Sequence, residues 1–398
     1  MKNRLKTLAK VSKQRSRSQR WPIVFRGGTA TATNDTTELT LRLPIVWIAG
    51  DEAKFDADDV LKIAACLEEA DELRIEVSGD YATVNGVKVM MDGMTSGRIT
   101  PNDEPRVELE ITDELRAAVS EVQACVTDDY LRPVLQGVYI DATMVAATDA
   151  HVLAWRDVAT GLPDGVKAVI PPSMFDLLPD GCRLIQVGDM YNVAESDAGR
   201  VVSKRPGSGW PYPNVRAVIP VKHDGEVTLD GRAVRDALKA AKTRKLVAAA
   251  LVVRDGSAGM ELYESLDGPE GDMMRVSLPC SVEKGSRDVV VGMKIELLER
   301  ALGKTKHDRI SVQYRDENTA VVVNGCALVM PVMNKFDHGK DFIPDRVELP
   351  EGHPETPKRT EETEKQRIVE LPDGTFIVIG GTKPKGGRAV KAWIIDEL

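Results

Sequence analysis

The sequence has no apolar run near the roughly 20 residues that a membrane-spanning helix needs, which excludes a helical membrane protein. Its opening stretch, MKNRLKTLAKVSKQRSRSQRW, is basic but has neither an apolar h-region nor a small-residue cleavage site. A secretory signal is therefore not expected, and a cytoplasmic protein is. Cysteine is scarce: Cys66, Cys125, Cys182, Cys280 and Cys326 lie far apart, with no CxxC pair and no histidine at metal spacing. That pattern excludes a disulfide framework or a zinc module and reads as buried thiols in a reducing compartment. Catalytic motifs are missing too: there is no GxSxG, no P-loop, no GxGxxG after a strand and no HExxH. His151, His223, His307, His338 and His353 sit in unrelated contexts, and the acidic run Asp56 to Asp59 reads as a helix N-terminus. No catalytic residue, metal, cofactor or small-molecule substrate is expected, and the chain is not read as an enzyme. Nor is there a helix-turn-helix, a zinc finger or an aromatic platform for RNA.

What is present is length and repetition. The 398 residues, 42% hydrophobic and 29% charged, suffice for two or three globular domains. A weak self-similarity recurs at roughly 115 to 120 residues, far longer than a solenoid repeat, which implies duplicated domains. Its clearest part is an amphipathic helix followed by two strands. The first copy runs from Phe55, with Val60, Ile63, Ala64 and Leu67 in one stripe and Asn85-Gly86 marking a hairpin. The second runs from Val169, where paired prolines open a short helix. The third runs from Val290, with Ile295, Leu298 and Leu302 at helical spacing and Asn324-Gly325 between strand-like runs. An earlier helix precedes each: Asn3 to Gln14, Asp113 to Val126 with a Thr112 start, and Gly231 to Lys245. The predicted unit is α+β, two helices on an antiparallel sheet. The boundaries read as 1–106, 107–222 and 223–335, then a polar, Pro-rich linker over 336–367 and a small β-rich extension over 368–398 around Pro372-Asp373-Gly374.

The net charge is -9, yet the bases are not evenly spread. Lys2, Arg4, Lys6, Lys10, Lys13, Arg15, Arg17 and Arg20 open the chain with no acid among them, while Leu5, Leu8 and Val11 make a narrow apolar stripe. The third unit's first helix brings Arg235, Lys239 and Lys242, and its second brings Arg300 and Lys304. A charge run often does no more than solvate a helix face. Basic faces recurring on equivalent helices of an acidic chain fit a surface that holds phosphate backbones, without sequence readout and with strong salt dependence.

The segment LRPVLQGVYIDATMVAATDAHVLAW, Leu131 to Trp155, resembles the middle-domain signature of the bacterial beta sliding clamp, the processivity subunit of DNA polymerase III. Ala147-Thr148-Asp149-Ala150-His151-Val152-Leu153-Ala154 stands where that family has Ala-Thr-Asp-Gly-His-Arg-Leu-Ala, so Ala150 and Val152 depart from it. WPYPNVRAVIP, within Val202 to Pro220, is similar to the family's exit from the middle domain. CALVMPVMN resembles its terminal Val-Met-Pro-Met-Arg-Leu, and RWPIVFRGG a Leu-Pro-Ile segment that follows its first helix. The ordered set spans about residues 1 to 334.

The resemblance implies a head-to-tail homodimeric ring around double-stranded DNA, its sheets outside and its basic helices lining the hole. It also implies a pocket between the second and third domains for short peptides of a DNA polymerase and a clamp loader. Carried over by position, the lining is Leu135, Thr148, Ala150, His151, Val152, Leu153, Pro213, Val218, Leu328 and Met330. The family's chain ends beside that pocket, whereas residues 335 to 398 continue here. A clamp-like paralogue, a viral or plasmid clamp, or a regulated scaffold would share these features. The tail is expected to pack on the outer face or to regulate pocket access, the alternative being a solvated linker with a small independent hairpin.

Overall fold

The computed structural model describes residues 1–13, 21–67, 72–94, 97–266, 268–303, 307–332 and 341–349, with the backbone of 367–370 and 376–379. One grammar is written three times. The first unit runs α1 (Lys2–Lys13), β1 (Ile23–Arg26), β2 (Thr29–Thr33), β3 (Thr37–Arg42), β4 (Ile45–Ala49), β5 (Glu52–Phe55), α2 (Ala57–Cys66), β6 (Leu73–Ser78), β7 (Tyr81–Val84) and β8 (Val87–Met90). The second runs β9 (Val107–Glu110), α3 (Asp113–Val122), β10 (Val138–Ile140), β11 (Met144–Thr148), β12 (Val152–Asp157), β13 (Ala168–Ile170), α4 (Pro172–Asp176), β14 (Leu184–Val187), β15 (Tyr191–Ser196) and β16 (Gly199–Lys204). After a one-turn helix α5 (Val215–Val218), the third runs β17 (Gly225–Asp230), α6 (Gly231–Thr243), β18 (Ala248–Arg254), β19 (Ser257–Ser265), β20 (Gly268–Leu278), β21 (Cys280–Val282), β22 (Val289–Lys294), α7 (Ile295–Leu302), β23 (Arg309–Tyr314), β24 (Val321–Val323) and β25 (Ala327–Val329).

Local chemistry explains the elements. Asp56, Thr112 and Asp230 cap α2, α3 and α6 through side chains that accept the N–H of Asp58, Leu115 and Ala233. Asn85 and Gly86, both at positive φ, make the two-residue turn between β7 and β8. The apolar stripes face inward: Leu5, Leu8 and Val11 of α1, Val60, Ile63 and Ala64 of α2, and Val234, Ala237, Leu238 and Ala241 of α6 are buried. Each fully buried aliphatic side chain contributes about 1.5–3 kcal/mol, which outweighs the helix propensity of any single position. Cys125 and Cys182 are buried, but Cys66 is exposed and Cys280 and Cys326 half-buried, so the expectation of five buried thiols holds for two. Burial pushes the Cys125 thiol up to about 12.

Every unit contributes two half-sheets of four strands, one of the third unit's being extended by a fifth, β21, and at each of the two unit boundaries a half-sheet of one unit joins a half-sheet of the next. The first joint gives the order β5-β1-β2-β3-β16-β15-β14-β9, with β3 antiparallel to β16. The second gives β13-β10-β11-β12-β25-β24-β23-β17-β21, with β12 antiparallel to β25. Two half-sheets are left over, β4-β6-β7-β8 and β20-β19-β18-β22. In the second and third units the strand before the first helix, β9 or β17, pairs antiparallel with β14 or β23. In the first unit β4 takes that place and pairs parallel with β6.

Residues 341–349, inside the stretch expected to be linker, lie against the third unit. Phe342 approaches Gly259, where a Cβ would come within 2.8 Å of its ring, and Arg275 lies over the ring at 5.5 Å. Asp345 N donates to Ser277 Oγ at 2.9 Å and Cys280 N to the Val347 carbonyl at 3.0 Å. Beneath, Glu261 is wholly buried, receiving Arg275 Nε at 2.6 Å and the Tyr263 hydroxyl. The expected hairpin around Pro372 is present as β26 (Arg367–Glu370) paired with β27 (Phe376–Ile379). No helix of the described residues is long and apolar enough to cross a membrane.

Candidate functional site

The helices form a row. Helix α1 packs on α2, and Lys10 of α1 faces Asp176 of α4 at 3.9 Å. Helix α4 adjoins α3, and the end of α3 meets α7 through Arg300, whose Nε donates to the Ala124 carbonyl at 2.8 Å. Lys242 of α6 reaches Glu299 of α7 at 2.8 Å. The spatial order is α2-α1-α4-α3-α7-α6.

The candidate DNA-binding residues divide on this row. Lys2, Lys6, Lys10 and Lys13 are exposed on α1, and Lys239 and Lys242 on α6. Arg4 is half-buried and bonds Asp180 of the second unit at 2.7 Å, Lys13 pairs with Asp58, and Arg235 donates to the His307 carbonyl at 2.8 Å. Arg300 is where expectation and structure part. Its guanidinium is committed to Asp149 at 2.6 Å and to the Ala124 and Val126 carbonyls, so it fastens the third unit to the second instead of facing a ligand. Arg15, Arg17, Arg20 and Lys304 lie outside the described residues.

On the other side of the β12–β25 joint lie Leu153 and Leu328 among the candidate pocket residues, whereas Val152 points back into the helix-side core with Val329. Leu153 pairs with Leu328 and Val152 with Val329, and Met330 N donates to the His151 carbonyl at 2.9 Å. The turn between β11 and β12 is knit by side chains: Asp149 Oδ1 accepts the N–H of His151 and Val152 at 2.7 and 2.8 Å, and Thr148 Oγ1 accepts that of Ala150 at 3.0 Å. Burial alone would raise the Asp149 carboxyl; those two N–H groups and the Arg300 guanidinium outweigh it and hold the group below the ordinary aspartate range. Ala150, standing where the family has glycine, keeps a glycine-like backbone at φ 78°.

The ten residues differ in accessibility. Leu135, Thr148, Val152, Leu153 and Leu328 are buried, and Leu153 and Leu328 belong to a small core with Trp155, Tyr139 and Val215. Ala150, His151, Pro213, Val218 and Met330 are exposed, Val218 at 57% and Met330 at 43%. Helix α5, which carries Val218, is pinned by buried Val215 and by Arg216, which donates to Asp141 at 2.9 Å. The Tyr212 hydroxyl accepts the Thr148 N–H at 3.2 Å, its ring tilts against Tyr139 at 5.1 Å, and burial raises its pKa. Sequence reasoning missed the exposed Tyr130, Leu131 and Trp210. Arg132, next to the first two, donates to the Asp149 carbonyl at 3.1 Å, and Gly207, in the turn that carries Trp210, lies against Val134. Large apolar side chains clustered in exposed loops were the available signal. Among the described residues one mixed cluster, His223, Glu226 and Glu283, brings its donor atoms within 4.8 Å, but Glu226 is already engaged by Ser311 and Gln313.

No family model matches the sequence, and no curated protein does. Solved structures do. The DNA polymerase III subunit beta of Pseudomonas aeruginosa superposes with a TM-score of 0.68 at 17% identity, over 83% of this chain and 96% of that one. The chain has the sliding-clamp fold. The Thermotoga maritima beta subunit gives 0.68 at 16% identity, over 84% and 98%. A Bartonella birtlesii sliding clamp bound to griselimycin gives 0.69 at 17%, over 83% and 98%. Within the clamp fold, the row of helices and the β12–β25 joint are the two surfaces on which function is to be sought.

Proposed function

We propose that this chain is a DNA sliding clamp: two copies close head to tail into a ring around duplex DNA and tether a polymerase. The observation that carries the reading is the repetition of one joint. Strand β3 meets β16, and β12 meets β25; the strands in equivalent positions at the two ends are β20 and β8. Applying the same joint once more sets β20 of one copy beside β8 of another, in the order β22-β18-β19-β20-β8-β7-β6-β4. A heterologous interface that closes after two copies makes a ring with no free edge at either joint. Processivity then comes from topology, because phosphate contacts weak enough to slide are enough once the ring cannot leave.

The polymerase and loading partners are assigned to the exposed rim of the β12–β25 joint, where Pro213, Val218 and Met330 offer apolar surface to a short peptide. The chain acts as a non-catalytic accessory subunit. The deciding experiment incubates full-length protein with a nicked circular plasmid and the same plasmid linearised, then strips it with high salt. Retention on the circle alone is expected; equal release from both would mean a DNA-independent scaffold.

A further inference from the structure

The row of helices carries its charge unevenly. Helix α1 has five bases and no acid, and α6 has four bases against Asp236. Between them the face turns acidic: α4 ends in Asp176, α3 opens on Asp113 and Glu114 with Arg116 as its exposed base, and α7 exposes Glu296 while its Arg300 is committed to Asp149. Packed helices lie about 8–10 Å apart, so α3 is about two Debye lengths from α1 at physiological salt. The charge of α1 therefore does not mask the acids of α3, and a phosphate meets each sector separately.

Resting on the clamp reading, we propose that duplex DNA is carried by α1 and α6 alone, while the middle unit's helices hold the phosphates off. Lys2 and Lys6 on α1 and Lys239 on α6 are exposed and have no ion pair among the described residues, so they meet phosphate without breaking an existing contact. In the ring, α6 of one copy is followed by α2 and then α1 of the next. The acids that α2 brings between them, Asp58 and Asp59, are paired with Lys13 and Lys62, so the exposed bases of α1 and α6 leave two opposed positive sectors, each straddling a joint between copies. A duplex lying in such a sector touches both chains, and by linkage it must favour closure as much as closure favours it.

Arg232, exposed at the start of α6, lies 3.8 Å from Asp236 one turn on and is removed together with Lys239. The test compares full-length wild type with Lys2→Ala/Lys6→Ala, Arg232→Ala/Lys239→Ala, Arg116→Ala and Asp113→Asn/Glu114→Gln, reading affinity for a 30-base-pair duplex across a salt series. Each paired lysine or arginine variant is expected to lose at least tenfold in affinity at low salt and to flatten the log–log salt slope by about 0.9 for each contact removed. Arg116→Ala should stay within twofold, and the carboxylate variant should bind more tightly. Adding the duplex to the wild type should also lower the protein concentration at which dimer forms. Equal losses for Arg116→Ala and the two paired variants would overturn the proposal, as would unchanged affinity in those pairs. Both results leave retention on circular DNA intact, whereas loss of that retention in the wild type overturns the clamp reading itself.

Discussion

At Ala150 the backbone sits at φ 78°, a region that costs an L-residue about 1–2 kcal/mol and glycine almost nothing. The turn tolerates it because Thr148 and Asp149 supply three hydrogen bonds to the N–H groups of Ala150, His151 and Val152. Ala150→Gly should relieve the strain and stabilise the protein by about 0.5–1 kcal/mol, less the greater freedom glycine gains in the unfolded chain. Calorimetry should show a small rise in the first thermal transition, and a fall would mean the methyl group packs favourably after all. This departure from the family pattern was visible in the sequence, but its outcome was not. A letter change from glycine to alanine does not tell whether the backbone moves or the strain is kept, and only the surrounding side-chain bonds decide it.

At the level of elements, stripes and turns were legible because they depend on neighbours three or four residues away: α2, α6, the Asn85-Gly86 hairpin and the Thr112 cap all follow from local pattern. What depended on distant partners was not. The substitution of β4 for the strand that opens the other two units had no local signature, and Arg300 read as one more base on a helix. Its burial at 21% side-chain exposure against Asp149 at 11% arises 151 residues away in sequence. Removing one partner of a largely buried pair strands the other, so Arg300→Ala should cost about 3 kcal/mol. The pH dependence has a definite sign. Asp149 titrates below its unfolded value, so its contribution is full above the ordinary aspartate range and is lost as pH falls through the depressed folded value. In Arg300→Ala that acid loss should shrink; urea midpoints at pH 7 and pH 3 for both proteins would show it, and parallel declines would assign the acid sensitivity elsewhere.

For the whole molecule, the repeat period implied duplicated units and the family resemblance implied a ring, but the edges that would close the proposed ring emerged only from strand order. Strand β8 ends in Met90, 62% exposed and paired across the hairpin with Tyr81, itself 44% exposed, while Met94 nearby is 41% exposed. On the opposite edge β20 offers half-buried Met273, Met274 and Val276. Apolar side chains left half in water on two edges with complementary places in the repeat are what an unmade joint should look like. Met90 is a surface residue in the single chain, so Met90→Lys should leave the fold and its thermal midpoint nearly unchanged. In the ring the same change would place a charge where about 1.5–3 kcal/mol of apolar burial was due. The ring contains this joint twice, so at 1.4 kcal/mol for each tenfold change the dimer should weaken about 100- to 10,000-fold. Sedimentation equilibrium at micromolar concentration should then find monomer where the wild type is dimeric, and retention on circular DNA should be lost with it. A variant that remains dimeric would mean the closing edge lies away from β8, and the repeated joint would no longer account for a ring.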